Sequence, residues 1–493
     1  MKVTPNSLML FAMLLVAVAG ACVAATAMLP LPALLLAVVA YALAFLLIKH
    51  SVKGYNTLAV LFLVFFFLYN YTAPITVVQG VEPEGYFGEA TLPVTAEFIY
   101  QVSLALLAFS LPFVVIANRH GGHSPLPAGR YTRRMLILAI LLAAGASAGE
   151  VVNLLRAGGT SVLLQGKAVY QEATSDLFIT IPSAFMAHLA FACLGFGLVG
   201  YYDGKLWRMV LNKKFLAFVV SILPVMLIYV VLGRRGPLLG WALSFIIGFT
   251  FLRYKRSVGL PVISLALVGY FLLAFLFVAR AQIAIAIKTG DTERMMRELS
   301  RPERYEKLNP AYNEFGAAFL NFTRFRLREK EVGEQRLYGE SYLGAVLVPV
   351  PRFLLPFEKP PTITYRFRDM FYESEAKRSR IAGTGFSSVL EAYWNFGFLG
   401  VLPVYFLVGC LLFWAERRRA SLKGYSILFV GAYLIFVPLM QSFHRSAFGL
   451  PFGIVLVTLV LYNVAGVLFV GDRSFYKRVV GRYRGSAGEE NAG

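Results

Sequence analysis

Seven residues between positions 234 and 445 could hold and transfer a charged group. Arg234 and Arg235 sit in Gly233-Arg234-Arg235-Gly236-Pro237, a tight turn between two apolar runs. Arg280 closes a later apolar run, Arg352 follows Val348-Pro349-Val350-Pro351, and His444 and Arg445 lie between the last two runs. A guanidinium donates paired hydrogen bonds from a planar fork, which matches the geometry of a phosphate. Gathered on one face, these arginines would make a cationic pocket for a diphosphate. Taken singly, each also fits a side chain snorkelling from a helix end or touching an anionic headgroup. Glu391 lies in the stretch GTGFSSVLEAYWNFGFLG, residues 383–400, ahead of Tyr393, Trp394 and Asn395. A carboxylate there can take a proton from a hydroxyl, with Tyr393 and Asn395 against the substrate. The same residues also read as an aromatic belt with a helix-capping carboxylate. Burial would raise the pKa of Glu391 and nearby arginines would lower it. His444 is a second candidate base because imidazole titrates near neutrality, and it reads equally well as a structural histidine.

Such side chains need a scaffold, and composition restricts which. Of 493 residues, 58% are hydrophobic and 15% charged, where a soluble protein carries about a quarter charged. Apolar runs of roughly 18 residues recur from end to end, the signature of helices that cross a bilayer. Period-two alternation, which a membrane barrel would need, is absent from the sequence. The net charge of +20 sits largely in short connections between apolar runs, so it reads as orientation by the positive-inside rule and not as a nucleic-acid surface.

The fold class expected is an all-α polytopic integral membrane protein of about 12 transmembrane helices with a large, partly helical extracytoplasmic loop. The spans are 7–28, 31–49, 57–78, 95–117, 135–155, 178–200, 215–232, 237–252, 259–279, 392–415, 424–441 and 447–470. The first is read as an uncleaved helix in preference to a signal peptide. Connections after even-numbered spans all carry basic residues, among them Lys49 and Lys53, Arg130, Arg133 and Arg134, Lys213 and Lys214, and Arg417 to Arg419. The connection 79–93 has Glu82, Glu84 and Glu89 and no Lys or Arg. Both termini are therefore expected in the cytoplasm. The chain divides into nine helices over 1–279, the loop 280–391, three helices over 392–470 and a basic tail 471–493.

The loop is too long to be structureless, so helices of its own are expected. Tyr312, Phe315, Phe319 and Phe322 recur at three- and four-residue spacing, as on an amphipathic helix lying on the membrane or on the bundle. Five prolines between Pro349 and Pro361 predict an irregular wall. Asp291/Glu293, Glu329/Glu331 and Glu373/Glu375 read as solvated charge runs, and no cluster has metal-ligand spacing, so neither metal nor cofactor is expected. Cys22, Cys193 and Cys410 lie far apart inside apolar runs and read as small core residues. There is no P-loop, nucleophile elbow or zinc motif.

With these residues assembled, the Gly-Arg-Arg-Gly-Pro turn, VPVPRFLLPFEKP at 348–360, the 383–400 stretch and the helix count resemble the bacterial oligosaccharide repeat-unit polymerases of the Wzy type. The likeness covers about residues 230–450. It implies a fold of the GT-C class of membrane glycosyltransferases in the cytoplasmic membrane, active on the extracytoplasmic face without metal. It implies a substrate carried on undecaprenyl pyrophosphate, with membrane lipids around it and a chain-length regulator as a further partner. The growing glycan would leave its pyrophosphate and pass to a hydroxyl of the next lipid-linked repeat. By motif position, Arg234 and Arg235 would hold the pyrophosphate, Glu391 would be the base and Arg445 would hold a second phosphate. Arg280 and Arg352 join that set by topology. The related O-antigen ligases use a histidine on their large loop, and residues 280–443 contain none. A lipid-linked oligosaccharide flippase is the alternative from another class. It would not need a folded loop of this size, and the internal repeats of many transporters are missing.

Overall fold

The structure is a computed structural model. It describes residues 30–52, 58–80, 91–115, 130–165, 170, 180–198, 212–232, 235–251, 291–301, 316–332, 336–347, 355–357, 363–371, 386–421, 433, 436, 439–440, 443–444 and 447–448. All regular structure among the described residues is helical. Six helical stretches are long and apolar enough to cross a membrane: Pro30–Ile48, Leu58–Val78, Thr91–Val114, Arg133–Arg156, Lys213–Val231 and Phe398–Arg417. The expected spans 7–28, 259–279 and 447–470 lie outside the described residues, apart from Ala447 and Phe448 at the start of the last.

One group of helices is built around a single rod. Helices α1 (Pro30–Val52), α2 (Leu58–Asn70), α3 (Thr72–Val78) and α4 (Thr91–Val115) come first in the chain. The window of α4 that could span is 94% buried, so α4 is enclosed by its neighbours and not by lipid. It begins at Thr91, a turn earlier than the expected 95, because Pro93 suits a first turn whose N–H groups have no intrahelical acceptor. The second group is α5 (Arg130–Arg156), α7 (Thr180–Leu198), α8 (Lys213–Val231) and α9 (Arg235–Phe251), with short α6 (Thr160–Gln165) after α5. α5 packs on α7 and α8, and α7 packs on α9. α8 shows the opposite of α4: only 28% of its window is buried, and Val220, Leu223 and Leu227 form an exposed apolar stripe suited to lipid.

The region between the groups and the last described span holds α10 (Thr292–Leu299), α11 (Ala317–Val332), α12 (Glu340–Leu347), α13 (Ile363–Phe371) and α14 (Ser388–Phe396). α15 (Val401–Ser421) follows a short 3-10 turn, Phe398–Gly400. Here the structure corrects the expected span 392–415. Gly397, at φ +76°, breaks the helix, and the apolar crossing runs over 398–417. A left-handed backbone of this kind is open to glycine and costly for other residues, which fixes the break at that position. Glu391 therefore belongs to a separate short helix that precedes the span.

Close packing, not hydrophobic drive, must hold apolar helices together in lipid, and small residues permit it. Gly409 of α15 lies on α4 so closely that a Cβ would fall on the carbonyl oxygen of Phe109. Gly248 of α9 lies in the same way on Ala192 of α7. These crossings also reveal direction. Phe109 faces Gly409 and Phe113 faces Phe413, so α4 and α15 run parallel. Phe62, early in α2, stacks on Phe109, late in α4, with ring centroids 4.0 Å apart, so α2 runs against them. Likewise Gly145–Met186 and Gly197–Leu136 make α5 and α7 antiparallel. This is the alternation that basic residues on every second connection require of these helices.

Candidate functional site

α14 starts cleanly because Ser387 caps it, its hydroxyl accepting from the N–H groups of Val389 and Leu390. That leaves Glu391 free of the capping role considered for it. Its side chain is 1% exposed and reaches two other segments. Oε1 accepts from the Ser341 hydroxyl of α12 at 2.8 Å, and Oε2 accepts from the Phe448 N–H at 2.6 Å. Burial pushes the Glu391 carboxyl up to about 7, against the opposing pull of the Phe448 and Ser341 hydrogen bonds. A carboxyl balanced near neutrality can take or give a proton at working pH.

Asn395 is fully buried and organises the backbone around this carboxyl. Its Nδ2 donates to the carbonyl of Glu391 and to Ser341 Oγ, both at 2.7 Å, and its Oδ1 accepts from the Gly339 N–H at 2.9 Å. It is thus a strut between α14 and the turn 336–340, not a side chain facing substrate. The turn includes Tyr338, 82% exposed and left-handed at φ +46°, a conformation that non-glycine residues seldom adopt. Ser341 is partly exposed, and its hydroxyl links the enclosed carboxyl to Asn395.

Tyr393 belongs to a neighbouring network. Arg326 of α11 donates from Nε to both oxygens of Glu97 on α4, each at 2.9 Å, and from a terminal nitrogen to Glu329 at 2.6 Å. Arg336 meets Glu329 at 3.1 Å and the Tyr393 carbonyl at 2.9 Å. The ring of Tyr393 is held between the two guanidiniums, 5.1 Å from Arg326 and 4.5 Å from Arg336. Phe322 and Phe325 lie against its edge. α11 therefore packs on the bundle, with Phe319 and Phe322 buried against Phe98 of α4, and not on the membrane surface. Tyr312 and Phe315 lie outside the described residues. Glu329, read from sequence as solvated, is instead an ionic bridge between two arginines, because α11 turns its charged face to α4 and α14.

His444 is helical and fully buried, enclosed by the rings of Phe62, Phe66 and Phe443, with the Phe62 centroid at 4.5 Å. Sequence put it in an outer connection; the structure puts it beside the middle of α2, away from water. Arg234, Arg280, Arg352 and Arg445 lie outside the described residues, and only the backbone of Arg235, the first residue of α9, is described. Among the described residues no group of three or more metal-ligating His, Cys, Asp or Glu side chains occurs. Sequence reasoning missed Glu97, Ser341, Arg326 and Arg336. Glu97 did leave a signal, as a carboxylate inside an apolar run, which membrane helices seldom carry without use. Ser341 and the arginines left none, since nothing local in 326–341 points to residue 97 or 391.

No family model matches the chain, and no curated protein or solved structure is similar to it.

Proposed function

We propose that the chain is a membrane glycosyltransferase that polymerises lipid-linked oligosaccharide repeats. In this reading it is a protein of about twelve spans, GT-C-like, in the cytoplasmic membrane. Both termini are cytoplasmic and the site opens on the extracytoplasmic side. The observation that carries the reading is the enclosed carboxyl of Glu391, bound at once by Ser341 of the loop and by the N–H of Phe448, three residues beyond Arg445 in sequence. A proton acceptor near neutrality and a cationic anion holder are the two parts that glycan transfer from a pyrophosphate needs. The N-terminus of α9 opens at Arg235, and free N–H groups at a helix start add to the pull on an anion.

The steps then balance as follows. The acceptor hydroxyl gives its proton to Glu391, through the Ser341 hydroxyl. Its oxygen bonds to the anomeric carbon of the growing glycan. The bond from that carbon to the pyrophosphate oxygen breaks, and the diphosphate keeps the electron pair. Arg234, Arg235 and Arg445 hold the charge that develops, with Arg280 and Arg352 completing the pocket. Tyr393 and Asn395 hold the walls in place, and His444 packs the bundle beneath.

The test is the surface glycan of cells carrying the gene, deleted or mutated. Deletion should leave single repeats on the cell surface. Repeats retained inside would indicate a flippase, and polymer left on its lipid carrier would indicate a ligase. Either result overturns the reading.

A further inference from the structure

A second buried carboxylate lies in the group that Glu391 does not touch. Glu150 of α5 is fully buried, and three hydroxyls converge on it: Tyr170 at 2.8 Å on Oε2, Ser183 at 3.0 Å and Tyr229 at 2.7 Å on Oε1. They come from three different segments, namely α7, α8 and residue 170. Among the described residues no guanidinium or ammonium reaches Glu150. A membrane span rarely keeps a carboxylate without a counter-charge. One turn along the buried stripe of α5 is Asn153, also fully buried, and neither its side-chain oxygen nor its nitrogen meets a hydrogen-bond partner. On α9, Trp241 stacks on Tyr229 at 5.1 Å, and its indole N–H and the Ser244 hydroxyl are likewise enclosed and unbonded. An unpartnered amide oxygen one turn from a carboxylate that no cation answers among the described residues marks a place for a guest.

We propose that this cluster binds a small monovalent cation of the size of sodium. Glu150 offers two oxygens, Tyr170, Ser183 and Tyr229 one hydroxyl oxygen each, and Asn153 its amide oxygen. A hydroxyl that donates to a carboxylate keeps lone pairs for a metal ion. One carboxylate balances one positive charge, which suits a monovalent ion, whereas divalent sites gather more carboxylates. The ion would neutralise the Glu150 carboxylate and tie α5, α7 and α8 together.

The experiment uses the full chain in detergent, with Tm measured against NaCl and against choline chloride at equal ionic strength and fixed pH. Sodium should raise Tm by about 4 °C at saturation, as expected when a ligand binds only the folded state. Glu150→Gln and Asn153→Ala should each lose that rise, while Glu391→Gln should keep it. This separates the proposal from the reading of the Glu391 site, since either can fail without the other. If Glu150→Gln does not fold, binding of radioactive sodium to the wild type and to Asn153→Ala decides the matter. Equal Tm in sodium and choline, a rise retained in Glu150→Gln, or a Tm that follows pH alone would each overturn the cation site.

Discussion

The two helix groups deal with buried charge in opposite ways. Around α4, the carboxylate of Glu97 is answered by Arg326 from a loop helix 229 residues away, and Glu329 and Arg336 extend the pairing. Around α5, Glu150 is answered only by hydroxyls. The difference lies in what covers each group. α11 packs against α4 and brings Arg326, and the turn before α12 brings Arg336. Nothing among the described residues brings a cation to the α5 group. Among the described residues, Glu97 thus meets a cation brought by the loop, whereas Glu150, like Glu391, is held by neutral donors alone.

The comparison breaks most sharply at Glu391. Glu391→Gln should cut polymer formation by roughly 10²–10⁴, the usual worth of a general base. The membrane level of the protein should stay near normal, as measured by a surface glycan ladder beside an immunoblot. Arg234→Ala and Arg235→Ala should abolish long polymer in the same assay, and full-length polymer in both would defeat the pyrophosphate pocket. Next comes Arg326→Ala, which leaves Glu97 buried without its cation and should cost about 3–5 kcal/mol of unfolding free energy. The paired change Glu97→Gln with Arg326→Met should recover most of that loss.

pH should separate the two roles of Glu391. Its folded pKa of about 7 lies above the ordinary 4.5. The stability it contributes is therefore complete below about pH 4.5 and lost as pH rises through about 7, on the order of 3 kcal/mol, and Glu391→Gln should flatten that slope in denaturation curves. Activity should move the other way, rising through about pH 7 as the carboxylate forms. A smaller effect, about 1–3 kcal/mol, is expected for Gly409→Ala, which must push α15 off Phe109. Smallest is Glu340→Ala, which removes an exposed contact to Arg366 and should change Tm by less than a degree or so.

Sequence showed the spans and their alternation well, because apolar length and basic connections are local signals. α1, α2 and α5 fall within a few residues of where the pattern put them. It failed where tertiary contact decides. The pair Gly397 and Gly400 was visible, yet the positive φ of Gly397 and the packing of Gly400 on Ala392 that make it a break between two helices were not. Glu329 between Arg328 and Lys330 looks like a solvated run until α11 turns that face inward. Glu391 was identified by its setting, whereas its two ligands, 50 and 57 residues away, belong to segments that no spacing rule connects. His444 was placed by counting spans, and counting cannot tell a connection from a buried helical turn.

The enclosure of α4 has a consequence for how the protein is made. Glu97 emerges 229 residues before the arginine that binds it. At roughly 5–20 residues per second, the carboxyl waits on the order of 10–50 s for that arginine. α15, which covers another side of α4, arrives later still. During synthesis α4 must therefore either linger beside the insertion machinery or enter the lipid protonated, and its final seat closes only once α15, ending at Ser421, has been translated.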